Sequence, residues 1–321
     1  MRGRAALYRD LLLIGVALLG VRPTSAVGQE KPLPEAQQPR EVVLETKDGV
    51  LLHIKYYPSK LKKNAVPVVL VHGWGGQGAD YEPLAAELHK AKDAVIVVDL
   101  RGHGKSLYQR IPGTEEKREL VRDRFGKADL VDMAHFDLEA VKAFLVKEHD
   151  AGNLNVELLC LVAAEEGAIV ALYWIAADWS WPQLPNLKQG QDVQAFVLLS
   201  PIPTFKGLPV QNPNALMHPA VRRRLSAMIV AGGEDDKRSA DARRVHGFLK
   251  RYHPPIPEDP EEQVKKQDLF LREQPTTLQG TKMLAAQELT IKGEIQEFIT
   301  VRLVNRQEFF PWRPRKDSSA E

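Results

Sequence analysis

The chain has 321 residues and a single cysteine, Cys160. One thiol excludes an internal disulfide and any cysteine-based metal centre. Charge of one sign is also lacking: 44 Lys and Arg stand against 42 Asp and Glu, a formal balance of +2. A nucleic-acid surface normally shows a marked basic surplus, so no nucleic-acid partner is expected. No apolar run approaches the ~20 residues that a membrane-spanning helix needs. There is no internal repeat and no nucleotide motif. Gly-x-Gly-x-x-Gly does not open a helix after the first strand, and Gly102-His-Gly-Lys-Ser106 lacks the earlier glycine of a P-loop. No cofactor and no metal set is implied. What is present, 44% hydrophobic and 27% charged residues, suits a globular chain with a sizeable core.

The N-terminus has its own character. Arg2, Arg4 and Arg9 precede the apolar run Leu11–Leu19, and Thr24-Ser25-Ala26 supplies small residues. Residues 1–26 are therefore expected to be a signal peptide, which implies a secreted, periplasmic or cell-envelope protein. Removing its four Arg and one Asp leaves 40 basic and 41 acidic side chains, a balance of −1. Residues 27–40 are polar and Pro-rich and read as a linker.

From residue 41 to 305 strand and helix signals alternate. The segments 41–45 and 50–57 flank Lys47-Asp48-Gly49 and predict a β-hairpin. Val66–Val71, Ala94–Leu100, Val156–Val162, Val193–Leu199 and Ala227–Ala231 are apolar runs expected of strands buried on both faces. Helical spacing covers 81–90, 131–148, 167–177, 240–252 and 291–303. The pattern predicts one α/β domain with a mostly parallel central sheet flanked by helices. Residues 253–268, rich in Pro and charge, are expected to be a surface excursion, and 306–321 a basic, polar tail that is frayed over 311–321.

Three landmarks follow strands, where open α/β sheets carry their sites. His72-Gly73-Trp74-Gly75-Gly76 offers glycines that let backbone N–H groups face a developing oxyanion. Asp99-Leu-Arg-Gly-His-Gly-Lys-Ser106 is expected to be a structural turn. Leu161-Val-Ala-Ala-Glu165-Glu166-Gly-Ala168 turns a strand sharply into a helix. Together these segments resemble the α/β-hydrolase fold family, over about residues 41 to 303. The first resembles its oxyanion loop, the second its Asp-x-Arg-Gly-x-Gly-x-Ser turn, and the third its nucleophile elbow. The segment 200–225 has about two dozen residues where the family inserts its lids, so no large cap domain is expected. Any pocket would be shallow or roofed by the charged loop 107–127.

The resemblance places Glu165 at the nucleophile position, or Glu166 if the register shifts by one. Asp236, with Asp235 close behind, matches the acid. The histidine should come last in the chain, but the last of nine is His253. Gln279, in Leu-Gln-Gly-Thr-x-x-Leu, falls in its place. Glutamine cannot accept a proton, so general-base catalysis is lost there. His72, Gly73, Trp74 and Glu166 remain as oxyanion-loop or binding residues. Cys160, five residues before Glu165 in the strand, is expected to be buried and cannot replace the serine. Two readings compete. One is a catalytically inactive hydrolase homologue that binds a small molecule, a peptide or a protein. The other is an esterase-like hydrolase with a non-standard carboxylate pair, Glu165 and Asp236. A third and plainer reading is an envelope interaction protein, weakly supported by Trp174, Trp179 and Trp181, if the last two are exposed.

Overall fold

A computed structural model describes residues 38–182, 184 and 188–315. The expected signal peptide and most of the linker lie outside the described residues. The core is a sheet of eight strands: β1 (Arg40–Glu45), β2 (Leu51–Tyr57), β3 (Pro67–Val71), β4 (Ala94–Val98), β5 (Leu159–Ala164), β6 (Val193–Leu199), β7 (Ser226–Gly232) and β8 (Leu269–Gln274). Their spatial order is β1-β2-β4-β3-β5-β6-β7-β8. The hairpin β1/β2 and the pair β2/β4 are antiparallel; the other pairs are parallel. Strands β3, β4, β5 and β7 are buried at every position. That is why they read as unbroken Val, Ile, Leu and Ala runs rather than alternating patterns.

Helices cover both faces: α1 (Glu82–Lys90), α2 (Lys127–Asp132), α3 (Leu138–Asp150), α4 (Gly167–Ser180), α5 (Pro219–Arg223), α6 (Asp236–Lys250), α7 (Pro260–Lys266), α8 (Lys282–Ala285) and α9 (Ile291–Arg302). A π-helical turn, Met133–Asp137, joins α2 to α3. One core layer packs α3 and α4 against the sheet, and the other packs α1 and α9 against it. No described helix is long and apolar enough to cross a membrane. Among the described residues, 200–225 contains only a two-residue strand pair and the short α5, so no large cap is built there.

The excursion 253–268 runs along the surface, its α7 burying no residue, and it leads into an edge strand, β8, that the sequence does not announce. That strand has only three consecutive apolar residues and exposes its charged half, so its period was weak. The segment 306–315 is not frayed. Asn155 Nδ2 donates to the Phe310 carbonyl at 2.9 Å, and Trp312 Nε1 donates to the His149 carbonyl at 3.2 Å. Arg315 Nη2 reaches Glu157 at 2.9 Å and also pairs with Asp192. Its polarity is matched by the buried Asp192 and the half-buried Glu157, far away in sequence, which local composition does not reveal.

Candidate active site

The elbow between β5 and α4 carries the first candidate residue. Glu165 stands at its tip with φ of +48°, a left-handed conformation costly for a residue with a Cβ. Its N–H donates to the Leu199 carbonyl at 2.9 Å, which ties the tip to the end of β6. Gly167 opens α4 where a Cβ would lie 2.2 Å from the His72 carbonyl oxygen. Only glycine lets the helix start so close to the oxyanion loop. The sharp turn is thus kept without a hydroxyl or thiol at its tip.

The two glutamates are used differently. Glu166 turns its side chain onto the His-Gly-Trp loop, and its Oε2 accepts the Trp74 backbone N–H at 2.9 Å. A donor that would face a substrate oxyanion is therefore engaged by a carboxylate of the same chain. Glu165 Oε1 accepts from Arg238 Nη2 at 3.2 Å. Burial, then repulsion from Glu166, raises the pKa of Glu165, while Arg238 and Lys282 oppose the rise. Glu165 thus has a second carboxylate, Glu166, and an arginine, Arg238, acting on it. Asp235 caps α6 by accepting the Arg238 N–H at 3.0 Å, and Asp236 is the first residue of that helix.

Gln279 lies on the loop that touches the elbow: a Cβ on its neighbour Gly280 would come within 2.7 Å of Glu165 Oε2. Its amide, however, is spent on structure. Gln279 Oε1 accepts from Ser200 Oγ at 2.6 Å and from the Gly232 N–H at 3.1 Å. Its Nε2 donates to the Gly232 carbonyl at 3.0 Å. Ser200 Oγ in turn accepts the Gly280 N–H at 2.9 Å. The loop thereby crosses Gly232, where a Cβ would lie 2.2 Å from the Leu278 carbonyl oxygen. Ser200 and Arg238 are the site residues that the sequence did not single out. The signal at Ser200 was its place directly after a strand, where it adopts φ of +51°.

His72 is fully buried rather than exposed to a ligand. Its Nε2 accepts the Leu100 N–H at 3.1 Å, so Nδ1 carries the proton and donates to the Gly73 carbonyl at 2.8 Å. Burial lowers its pKa and keeps it neutral. It braces the loop instead of serving as a base. His103 contacts both His72 and Trp74, and burial lowers its pKa to about 4. Its Nε2 has no partner among the described residues, yet no hydroxyl lines the small cleft it faces.

That cleft is nearly shut. Trp74 is packed by His103, Phe125 and Phe205, with Lys206 Nζ 4.1 Å from its ring centroid. The roof therefore comes from 200–225 as well as from the expected loop 107–127. The space left between Trp74, His103, Met133, Glu166 and Val170 is about 10 Å3. That is about the room one water needs, and far below that of an organic substrate. No group of three or more His, Cys, Asp or Glu among the described residues is placed to hold a metal ion.

A strand order of 1-2-4-3-5-6-7-8, an elbow after β5 and an oxyanion-type loop after β3 define a hydrolase scaffold. The chain belongs to the alpha/beta hydrolase family, whose model matches residues 68–312. No curated protein shows significant sequence similarity to it. Among solved structures, it is similar to an esterase of Pyrococcus furiosus, with 13% identity, 83% of this chain and 92% of that one covered, and a TM-score of 0.56. It is also similar to an esterase of Pyrobaculum calidifontis, at 13% identity, 83% and 84% coverage and a TM-score of 0.53. A bacterial heroin esterase matches at 12% identity, 84% coverage of both chains and a TM-score of 0.53. At such identity the likeness is one of fold.

Proposed function

We propose that this protein is an α/β-hydrolase homologue without the hydrolytic cycle, and that it acts by binding. The observation that carries the reading is the Glu166 carboxylate accepting the Trp74 N–H at 2.9 Å. An incoming ester oxygen would have to displace it, and would bring its partial negative charge against a full one. Two further substitutions point the same way. Glu165 is held by Arg238, and the Gln279 amide is committed to Ser200 and Gly232. Acyl transfer needs a nucleophile and a base that takes its proton, and the site presents neither in contact. The esterase-like alternative built on Glu165 and Asp236 gains no support from these contacts.

Turnover of p-nitrophenyl acetate and butyrate tests the reading. The protein is expected to match the buffer blank, and Glu165→Ala to leave that rate unchanged. Turnover above the blank that disappears in Glu165→Ala would overturn it.

A further inference from the structure

A second opening, away from the elbow tip, has the size of a ligand site. A groove of about 600 Å3 runs between α4 and the continuous helix α2–π–α3. Pockets for small organic molecules usually measure about 300–1,000 Å3. Its two walls are helical stripes. Tyr173, Ala176, Ala177 and Ser180 recur at helical spacing on α4, and Val131, His135 and Glu139 recur every four residues on the other wall. The alanines leave the space, and Leu208 adds to the apolar lining. Trp181, just past the end of α4, also lines the groove and is 46% exposed. Trp174 is buried and Trp179 half-buried, so of the three tryptophans Trp181 is the one presented to solvent.

The rim is cationic. Lys47, from the β1–β2 turn, and Lys127, opening α2, both line it, and neither enters an ion pair among the described residues. His135 is exposed beside them. The lining includes one carboxylate, that of Glu139, which already accepts the Trp174 Nε1–H at 3.2 Å. His135 lies in the π-turn, a departure from regular helix that recurs at functional sites. Here that turn is fixed from below, since Asp137 accepts from the Arg101 backbone N–H at 3.0 Å and from its Nε at 2.9 Å. Amides of Asn212 and Asn214 complete the rim.

We propose that this groove is the protein's ligand site, and that it takes an amphiphilic organic anion. The acidic head would lie at Lys47, Lys127 and His135, with the apolar body along Val131, Tyr173 and Leu208. The proposal deepens the reading of the chain as a binder and rests on it. Two unpaired ammonium groups against a single lining carboxylate favour an anion over a neutral sugar, for which the amides alone would serve.

The test titrates the protein with 8-anilinonaphthalene-1-sulfonate. Saturable fluorescence enhancement at micromolar concentration is expected, displaced by decanoate and not by 1-decanol. Lys47→Glu combined with Lys127→Glu is expected to weaken it at least tenfold, whereas Lys60→Glu with Lys90→Glu, an equal charge change outside the groove, leaves it unaltered. Trp181→Phe is expected to reduce the accompanying quenching of tryptophan emission. No saturable binding, equal weakening by both double variants, or displacement by decanol or a neutral oligosaccharide would overturn the proposal. Ester turnover with intact dye binding would sink the inactive-hydrolase reading alone. Absence of dye binding in a protein without turnover would sink the groove alone.

Discussion

Lys142→Met is expected to cost about 3–5 kcal/mol of folding stability, the usual effect of removing one partner from a buried ion pair. Lys142 projects from α3, and its Nζ donates to Asp178 Oδ1 at 2.5 Å and to the Gln189 carbonyl at 2.9 Å. Asp192 Oδ2 lies 3.2 Å away. Both carboxylates are fully buried. Asp178 Oδ2 also accepts the Asp192 and Val193 backbone N–H groups, at 2.8 and 3.3 Å, so its geometry cannot relax without breaking the entry to β6. Methionine fills similar volume but leaves the pair facing only Lys188 and Arg315 from the Asp192 side. Burial, ahead of the attraction of Lys142, already raises the Asp178 pKa. Without Lys142 it rises further. A raised carboxylate pKa makes the folded state hold a proton that the unfolded chain releases, so the variant loses stability as pH increases. Urea unfolding should therefore show a larger deficit at pH 8 than at pH 5. A deficit below about 1 kcal/mol at pH 8, the scale of exposed pairs, would contradict the account.

Asp93→Asn is expected to act in the opposite direction. Asp93 sits just before β4 and is 3% exposed, and its Oδ2 has no hydrogen-bond partner among the described residues. Burial pushes its pKa up to about 7, with Gln296 opposing only in part. In the folded protein it keeps its proton at acid pH, where the unfolded chain, with a carboxylate near 3.8, releases it. Stability is then lost as pH rises from about 4 to about 7. Asparagine resembles the neutral acid and carries no such loss. Each pKa unit is worth about 1.4 kcal/mol, so the gain at pH 8 should reach on the order of 4 kcal/mol and vanish near pH 4. Thermal unfolding across that range checks it. A variant that is less stable at pH 8, or a gain independent of pH, would show that Asp93 is charged and satisfied in the fold.

Most of the scaffold was legible because its signals are local. Strands buried on both faces announce themselves as apolar runs, and an elbow needs small residues beside its tip, here Ala163 and Gly167. What stayed hidden depends on side-chain direction or distant charge. Two adjacent glutamates look equivalent in sequence. Only the fold shows that Glu165 meets Arg238 while Glu166 meets the Trp74 N–H. Arg238 lies in the polar first turn of α6, where an arginine is ordinary. Gln279 could be placed by its Gly-Thr context, but its commitment to Ser200 and Gly232 depends on a loop crossing that spacing does not encode. The groove between α4 and α2–π–α3 was foreshadowed by the Trp181 segment alone, because its other wall lies some forty residues earlier in the chain.

The central claim is that the elbow holds no activated nucleophile. Incubation with a fluorophosphonate, followed by intact-mass measurement, tests this most directly, since such reagents bond to a hydroxyl only when a base and an oxyanion site activate it. An unchanged mass is expected under conditions that label a serine esterase completely. A single stoichiometric adduct, at Ser200 or at any other hydroxyl, would contradict it.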